Sequence, residues 1–472
     1  MPINNFLLPG AKVTTAFEVS NSCRFNKGDT AYMHKTLSDG NRRTWTFSTW
    51  FKRISLGTQV TFGVVQTSTG NDNIMAMQIR SDNKLEVWDY AGGITASIVT
   101  NRLFRDVSAW YHVVVAADTT SGTANNRLRL YINGTEERDV GGYATDTMPS
   151  ENYDFNINQN TKVLKFGAYD GGSVGSPADF YFAETVFIDG TQYAASDFGE
   201  FDEDSPKIWK PKDVSGLTFG TNGFYLDYED SSNLGNDANG GTDWTENNLA
   251  ATDQSTDTCT NNFATFNPLF VYTTLKPSYS DGNLTAIFDN SGNNEHAPST
   301  IAVANGKWYG EFKWVSATGT GATVTGVFPV DADITSDLNA QSHCYLGTGQ
   351  KRILNTSSSY GDSYTSGDII GIALDMDNNK LYFSKNGTWQ DSGDPTSGST
   401  GTGAISITAD KTYFMYCSDY ASSGNRSADA NFGSPETSVS SGNADANGYG
   451  NFEYSVPSGY YALCTKNLAE YG

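Results

Sequence analysis

The sequence predicts an all-β protein built from two antiparallel β-sandwich (jelly-roll) domains joined by a polar, partly docked connector. Three observations lead there. Short stretches of alternating apolar and polar residues recur along the chain, and no segment of comparable length carries the 3.6-residue period of a helix. The 48 glycines are spread among Ser, Thr, Asn and Asp, as many short strands joined by tight turns require. Hydrophobic residues reach only 38% while aromatics reach 13%, and large rings let a lean count still fill cores. At 472 residues the chain is too long for one ordinary sandwich.

The first domain is expected over residues 1–212. In RTWTFSTWFKR (43–53), Trp45, Phe47 and Phe51 alternate onto one face. KLEVWDY (84–90) and AWYHVVVAAD (109–118) read as further strands, the second apolar enough to be central. In NRLRLYINGTEE, Leu128, Leu130 and Ile132 face one way, and Asn133-Gly134 supplies the two positive-φ residues of a type I′ hairpin turn. VLKFGAYD and ADFYFAETVFIDG (178–190) add the closing strands.

Residues 213–276 form the connector. An aromatic start, GFYLDY, leads into an Asn/Asp/Gly-rich run, yet Phe219, Phe224, Tyr225 and Tyr228 are too many rings for a free linker, so the segment is expected to dock on a neighbouring module.

The second domain is expected over residues 277–472. GKWYGEFKW (306–314) places Trp308 and Tyr309 on opposite faces. SGDIIGIALDMDNNKLYFSKNGTW (366–389) is a hairpin pair. Ile370, Ile372, Leu374 and Met376 line one face, Asp377-Asn378-Asn379 turns the chain, Leu381 and Phe383 return on the same face, and Asn386-Gly387 turns it again. No internal repeat links the two domains, and no heptad pattern offers a coiled-coil stalk.

Three resemblances follow from these segments. The order of "RTWTFSTWFKR", "WYHVVVAAD", "RLYINGTEE" and "FYFAETVFIDG" resembles the laminin-G-like, concanavalin-type jelly roll of lectin folds over roughly the first 200 residues. The trio "GKWYGEF", "GDIIGIALDMDNNKLYFSKNGTW" and "ANFG … PSGYYAL" resembles a SPRY domain, a sandwich used as a protein-interaction platform; a GSTGTG spacer (398–403) departs from that pattern. The connector, from IWKPK (208–212) to TNNFATFNP, resembles one that recurs in marine bacteriophage tail-fibre and virion surface proteins. Together the resemblances imply a phage virion surface protein (tail fibre, knob or decoration) that binds a host-cell glycan or receptor without catalysis. The alternative they leave open is a purely structural capsid or tail decoration protein bound to other virion proteins.

Charge and chemistry narrow the classes. A net charge of −23 repels phosphate backbones and anionic lipid, so neither nucleic acid nor membrane insertion is expected. The same acidity serves solubility. Cys23, Cys259, Cys344, Cys417 and Cys464 are isolated and odd in number, which fits single thiols rather than a disulfide framework or zinc site. MPINNFLLPGAK lacks the basic region and apolar run of a signal peptide. A virion address, reached from the host cytoplasm by lysis, accommodates an extracellular-type composition without export, and a homo-oligomer is expected there.

Lectin-like jelly rolls include glycosidases with alternating carboxylates on one strand. The nearest match, Glu200-Phe201-Asp202-Glu203-Asp204, lies between Gly199 and Ser205-Pro206, so it reads as an acidic loop. The histidines are His34, His112, His296 and His343; His112 reads as a packed strand residue, and no G-x-S-x-G elbow, P-loop or Rossmann signature is present. No enzyme is expected, and a polysaccharide hydrolase ranks last. Asp230, Asp237, Asn239 and Asp243 fall in one glycine-rich loop whose hard oxygen donors suit calcium, with an ordinary polar turn as the alternative. As ligand contacts, the loop rings and amides Tyr360, Tyr364, Trp389 and Tyr420 in the second domain, and Trp88, Tyr90 and Asp170 in the first, are the candidates; each ring can equally be packed.

Overall fold

The computed structural model describes residues 17–56, 60–66, 73–160, 162–168, 177–272, 275–289, 295–317, 323–336, 338–419 and 425–472. Within them the chain forms two antiparallel β-sandwiches, and the longest helix is the seven-residue Thr465–Tyr471.

One sheet of the first sandwich has Trp110–Asp118, Thr44–Arg53 and Phe180–Asp189 at its centre, flanked by Leu128–Ile132 and Ser22–Phe25. The opposing sheet runs through Ile94–Thr100, Leu85–Tyr90, Ile74–Ile79, Val60–Gln66, Val163–Phe166 and Tyr32–Thr36. Trp45, Phe47, Phe51, Leu128, Leu130 and Ile132 all enter the core between the sheets, as their alternation predicts. Asn133 (φ 47°) and Gly134 (φ 81°) turn the hairpin, and a Cβ on Gly134 would lie 2.2 Å from the Trp209 ring. Only glycine meets both demands.

The central sheet is buried on its second face too, which explains the near-continuous apolar runs of Trp110–Asp118 and Phe180–Asp189. Ala195, Phe198, Val214 and Phe219, from the segment following the last long strand, cover Val114, Ala116, Val186 and Ile188. In the same segment Gly199–Phe201 and Trp209–Pro211 pair as a two-stranded ribbon. Glu200 and Phe201 are therefore strand residues, which corrects the loop expected there; the pairing with Trp209–Pro211 is a long-range fact that flanking Gly and Pro do not reveal.

Residues 213–276 divide between the sandwiches. Phe224–Leu226 pairs with Phe180–Asp189, Thr245–Asn247 with Tyr32–Thr36, and Gln254–Ser255 with Ser22–Phe25. Phe224, Leu226, Tyr228 and Trp244 lie in the first core. From Phe263 onward the chain bonds to the second sandwich, through Phe263↔Cys464 and Phe266↔Ser299. The short stretch between is anchored by Asp257, which accepts from the Lys52 ammonium at 2.7 Å, with both side chains almost wholly buried.

The second sandwich sets Lys307–Ser316, Ile369–Asp375, Lys380–Lys385 and Arg426–Asn431 in one sheet, and Glu295–Val303, Tyr413–Asp419, Thr323–Pro329 and His343–Leu346 in the other. Ile370, Ile372, Leu374, Met376, Leu381 and Phe383 share its core with Trp308 and Trp314, while Tyr309 points to the far side of the sheet and packs on Phe452 and Tyr460. Asn379 (φ 54°) and Asn386 (φ 48°) sit at the two turns read from sequence. The five cysteines are free thiols.

Candidate functional site

The sandwiches meet where the strand Ser22–Phe25 and its edge neighbour Gln254–Ser255 approach residues 434–439 of the second module. Arg24 Nη2 donates to Glu436 O (3.1 Å) and to Thr252 O (2.9 Å), and the Ser255 and Ser434 hydroxyls share a hydrogen bond of 2.9 Å. Asn283 Nδ2 reaches back to Ile54 O at 2.8 Å. Arg24 is 2% exposed, and its Nε lies 3.8 Å from Asp253 Oδ1, an ion pair without a hydrogen bond.

Around this contact lie three adjoining cavities of about 500, 210 and 60 Å3, and Glu436 lines all of them. The largest is walled by Asn26, Asp29, Asn248, Asp253 and Asp281 besides Arg24 and Glu436. The next adds Gln254, Ser255, Thr437, Ser438 and Asn451. Amides, hydroxyls and carboxylates thus converge from both modules, which is the donor and acceptor set that a ligand rich in hydroxyls requires. Burial beside Asp429 and Asp281 raises the Glu436 carboxyl to about 7, against the pull of Arg24 and Lys313. Asp253 is likewise raised by burial, although Arg24 opposes the shift.

The residues proposed from sequence are dispersed. Tyr360 and Tyr364 are corrected: both lie in the second core, where the Tyr364 hydroxyl lies within hydrogen-bonding distance of the carbonyls of Tyr345 (2.9 Å) and Thr323 (3.2 Å), and Tyr360 accepts from the Phe383 N–H. A Ser/Tyr/Gly-rich stretch reads as a rim, but its rings turn inward over Phe383 and Tyr345. Trp389 is half-buried on the sheet face that carries Tyr382 and Tyr460. Trp88 and Tyr90 are half-buried on the outer face of their strand, with Trp88 over Ile74 and Ala76, while Asp89 between them turns inward to Tyr153 and Asn156. Asp170 and Tyr420 lie outside the described residues.

The loop considered for calcium engages its own oxygens. Asp237 Oδ1 accepts from Tyr225 N and Asn239 N, and its Oδ2 pairs with Lys35 at 3.3 Å. Asp243 accepts from Asp237 N and Asn233 Nδ2, and Asp230 closes a turn with Ser232. Asn239 is exposed and contributes its N–H to the turn. This set does not fit a calcium cage, and among the described residues no group of three or more His, Cys, Asp or Glu side chains is placed to hold a metal.

Two constellations that resemble catalytic ones fail on their chemistry. Ser48 Oγ lies 2.9 Å from His112 Nε2, but the Trp209 indole N–H donates to His112 Nδ1 at 3.0 Å. An indole can only donate, so Nδ1 is the acceptor, Nε2 carries the proton, and the imidazole has no lone pair for the serine proton. Burial between Trp50 and Trp209 also lowers the His112 pKa to about 3. Glu200 and Asp202 both face Lys210, at 3.5 and 3.4 Å, on the surface ribbon rather than across a cleft.

Comparison with known proteins agrees with the fold. Residues 26–173 match the Concanavalin A-like lectin/glucanases superfamily, and residues 307–433 match the SPRY domain. The chain carries a concanavalin A-like module and a SPRY module. Among curated proteins, the dual specificity protein kinase splA of Dictyostelium discoideum is 33% identical over 63 residues, which span 13% of this chain and 2% of the kinase. Among solved structures, the SPRY domain of human HERC1 is 18% identical with a TM-score of 0.25, covering 31% of this chain and 87% of that one. A putative carbohydrate binding protein from Bacteroides ovatus is 15% identical with a TM-score of 0.34, covering 49% and 59%. The SAP-like pentraxin of Limulus polyphemus is 13% identical with a TM-score of 0.27, covering 38% and 80%.

The junction residues Arg24, Asn26, Asp253 and Glu436 escaped the sequence reading. Arg24 and Glu436 are 412 positions apart, and nothing local marks either as part of a site.

Proposed function

We propose that this chain is a non-enzymatic surface protein of a phage particle that binds a host-cell glycan in the cleft between its two modules. The observation that carries the binding reading is the cleft itself: about 500 Å3, formed by both modules and lined by amide, carboxylate and guanidinium groups. The virion assignment rests on the likeness of the IWKPK-to-TNNFATFNP segment to phage surface proteins, while the lectin-like and SPRY modules support the non-enzymatic binding part of the reading. In that setting the chain assembles as a homo-oligomer on other virion proteins.

A second reading, a purely structural decoration protein, is favoured by one feature. Phe201 and Ile208 are 44% and 58% exposed on the same ribbon, an apolar tip suited to another virion protein. Binding of labelled, multimerised chain to candidate host cells separates the two. The glycan reading expects saturable binding that is lost on periodate treatment and retained in EDTA. No binding by demonstrably folded protein overturns it and leaves the decoration reading.

A further inference from the structure

Residues 434–439 form a strap that the second module lays against the first. The strap separates the small cavity over Glu311, Lys313 and Asp429 from the larger cleft, and Glu436 reaches both sides. Its attachments to the first module are few and polar: Arg24 Nη2 to the Glu436 carbonyl, and Ser434 to Ser255. The charges facing Glu436 come from every surrounding element. Asp429 lies on Arg426–Asn431, Asp281 on the turn after Ser278–Ser280, Arg24 on Ser22–Phe25 and Lys313 on Lys307–Ser316. Asp29 and Asp253 share its larger cavity, and Glu311 and Glu453 share the smaller one. Lys313 is exposed, so buried Arg24 is the principal counter-charge among many carboxylates.

A carboxyl in such surroundings is tolerated when neutral and opposed when charged, both by desolvation and by its like-charged neighbours. We propose that the strap is a proton-operated latch, closing the modules on one another while Glu436 is protonated and loosening as Glu436 ionises, so that the cleft becomes more accessible from mildly acid to mildly alkaline solution. The latch regulates the same cleft assigned to glycan above and takes its meaning from that reading, but its test needs no glycan, so the two can fail separately. The direction agrees with the raised position of the Glu436 carboxyl, about 7 against an ordinary 4.5. Opening returns Glu436 to water and its ordinary pKa, so the opening equilibrium rises roughly 70-fold between about pH 5 and pH 8.

Amide hydrogen exchange on the full chain measures it. Exchange of residues 434–439 and 252–255 is followed in wild type and in Glu436→Gln at each pH, and the ratio of the two rates cancels the intrinsic pH dependence of exchange. The ratio is expected to climb by that factor between pH 5 and pH 8, and Asp429→Asn, which removes a like charge, is expected to reduce the climb. A ratio that does not change with pH, or a climb that Asp429→Asn leaves untouched, overturns the latch. Circular dichroism confirms that each variant is folded, and if Glu436→Gln does not fold, the ratio of wild type to Asp429→Asn decides: it is expected to rise between about pH 5 and pH 8 by a smaller factor, and a ratio that does not change with pH overturns the latch.

Discussion

Replacing Asp257 by Ala tests how the first module grips the chain on its way to the second. Asp257 Oδ2 accepts from Lys52 Nζ at 2.7 Å, and Oδ1 accepts from Trp110 Nε1 at 3.1 Å and from Phe263 N at 3.3 Å. The side chains of Lys52 and Asp257 are only 2% and 3% exposed, so removing the carboxylate strands an ammonium whose one remaining hydrogen bond is to Asn262 Oδ1, at 2.8 Å. Breaking a buried ion pair from one side costs about 3–5 kcal/mol, because the surviving charge loses its compensation. For a module of this size that lowers the midpoint by about 6–20 °C. Differential scanning calorimetry and urea unfolding of the full chain measure it. The double variant Lys52→Met with Asp257→Leu removes both charges and is expected to regain the part of the loss that comes from the stranded ammonium, while the Trp110 and Phe263 N–H groups stay unpaired. A single variant within about 1 kcal/mol of wild type, or a double variant as unstable as the single, would refute the reasoning.

Two further outcomes follow from buried titratable groups. His296 is 1% exposed, neither ring nitrogen has a hydrogen-bond partner, and burial lowers its pKa to about 3 from 6.5. The unfolded chain takes up this proton below pH 6.5 and the folded chain does not, so stability falls as pH drops through that window; His296→Phe is expected to gain about 2 kcal/mol on wild type at pH 5 and little at pH 8 in urea titrations. Glu184 occupies a β-bulge at φ 48°, accepts from the Tyr225 hydroxyl at 2.7 Å, and is raised by burial to about 8. Its contribution is fully present below pH 4.5 and fades as pH rises to 8, so Glu184→Gln is expected to stabilise by up to about 4 kcal/mol at pH 8.5 and by less than about 1 at pH 5; equal effects at both would count against a neutral Glu184.

The sequence made local geometry legible and long-range contact much less so. Trp45, Phe47 and Phe51 declare a strand face by alternation, and Asn133-Gly134 and Asn386-Gly387 declare hairpins because few other pairs tolerate two positive φ angles. The same logic placed Trp308 and Tyr309 on opposite faces. Tyr360 and Tyr364 were misplaced because a polar neighbourhood says nothing about which way a ring turns; here Tyr345 and Phe383 provide the apolar wall that draws them in. Glu184 gave no warning, since a bulge depends on the register against Thr44–Arg53. The candidate cleft was the least legible part: its walls come from Asn26, Asn248, Asp281 and Glu436, polar residues that individually read as turns and become a site only when two sandwiches dock.

The central claim is that the junction cleft holds the ligand, and Thr252→Trp tests it most directly. Thr252 is exposed, lines both larger cavities and lies outside the two cores, so a tryptophan there fills the cleft without disturbing either sandwich. The measurement is saturation binding of multimerised wild type and variant to periodate-sensitive host cells, after calorimetry has shown equal unfolding. The account predicts at least a ten-fold weaker affinity for Thr252→Trp, whereas binding equal to wild type would place the ligand elsewhere and contradict it.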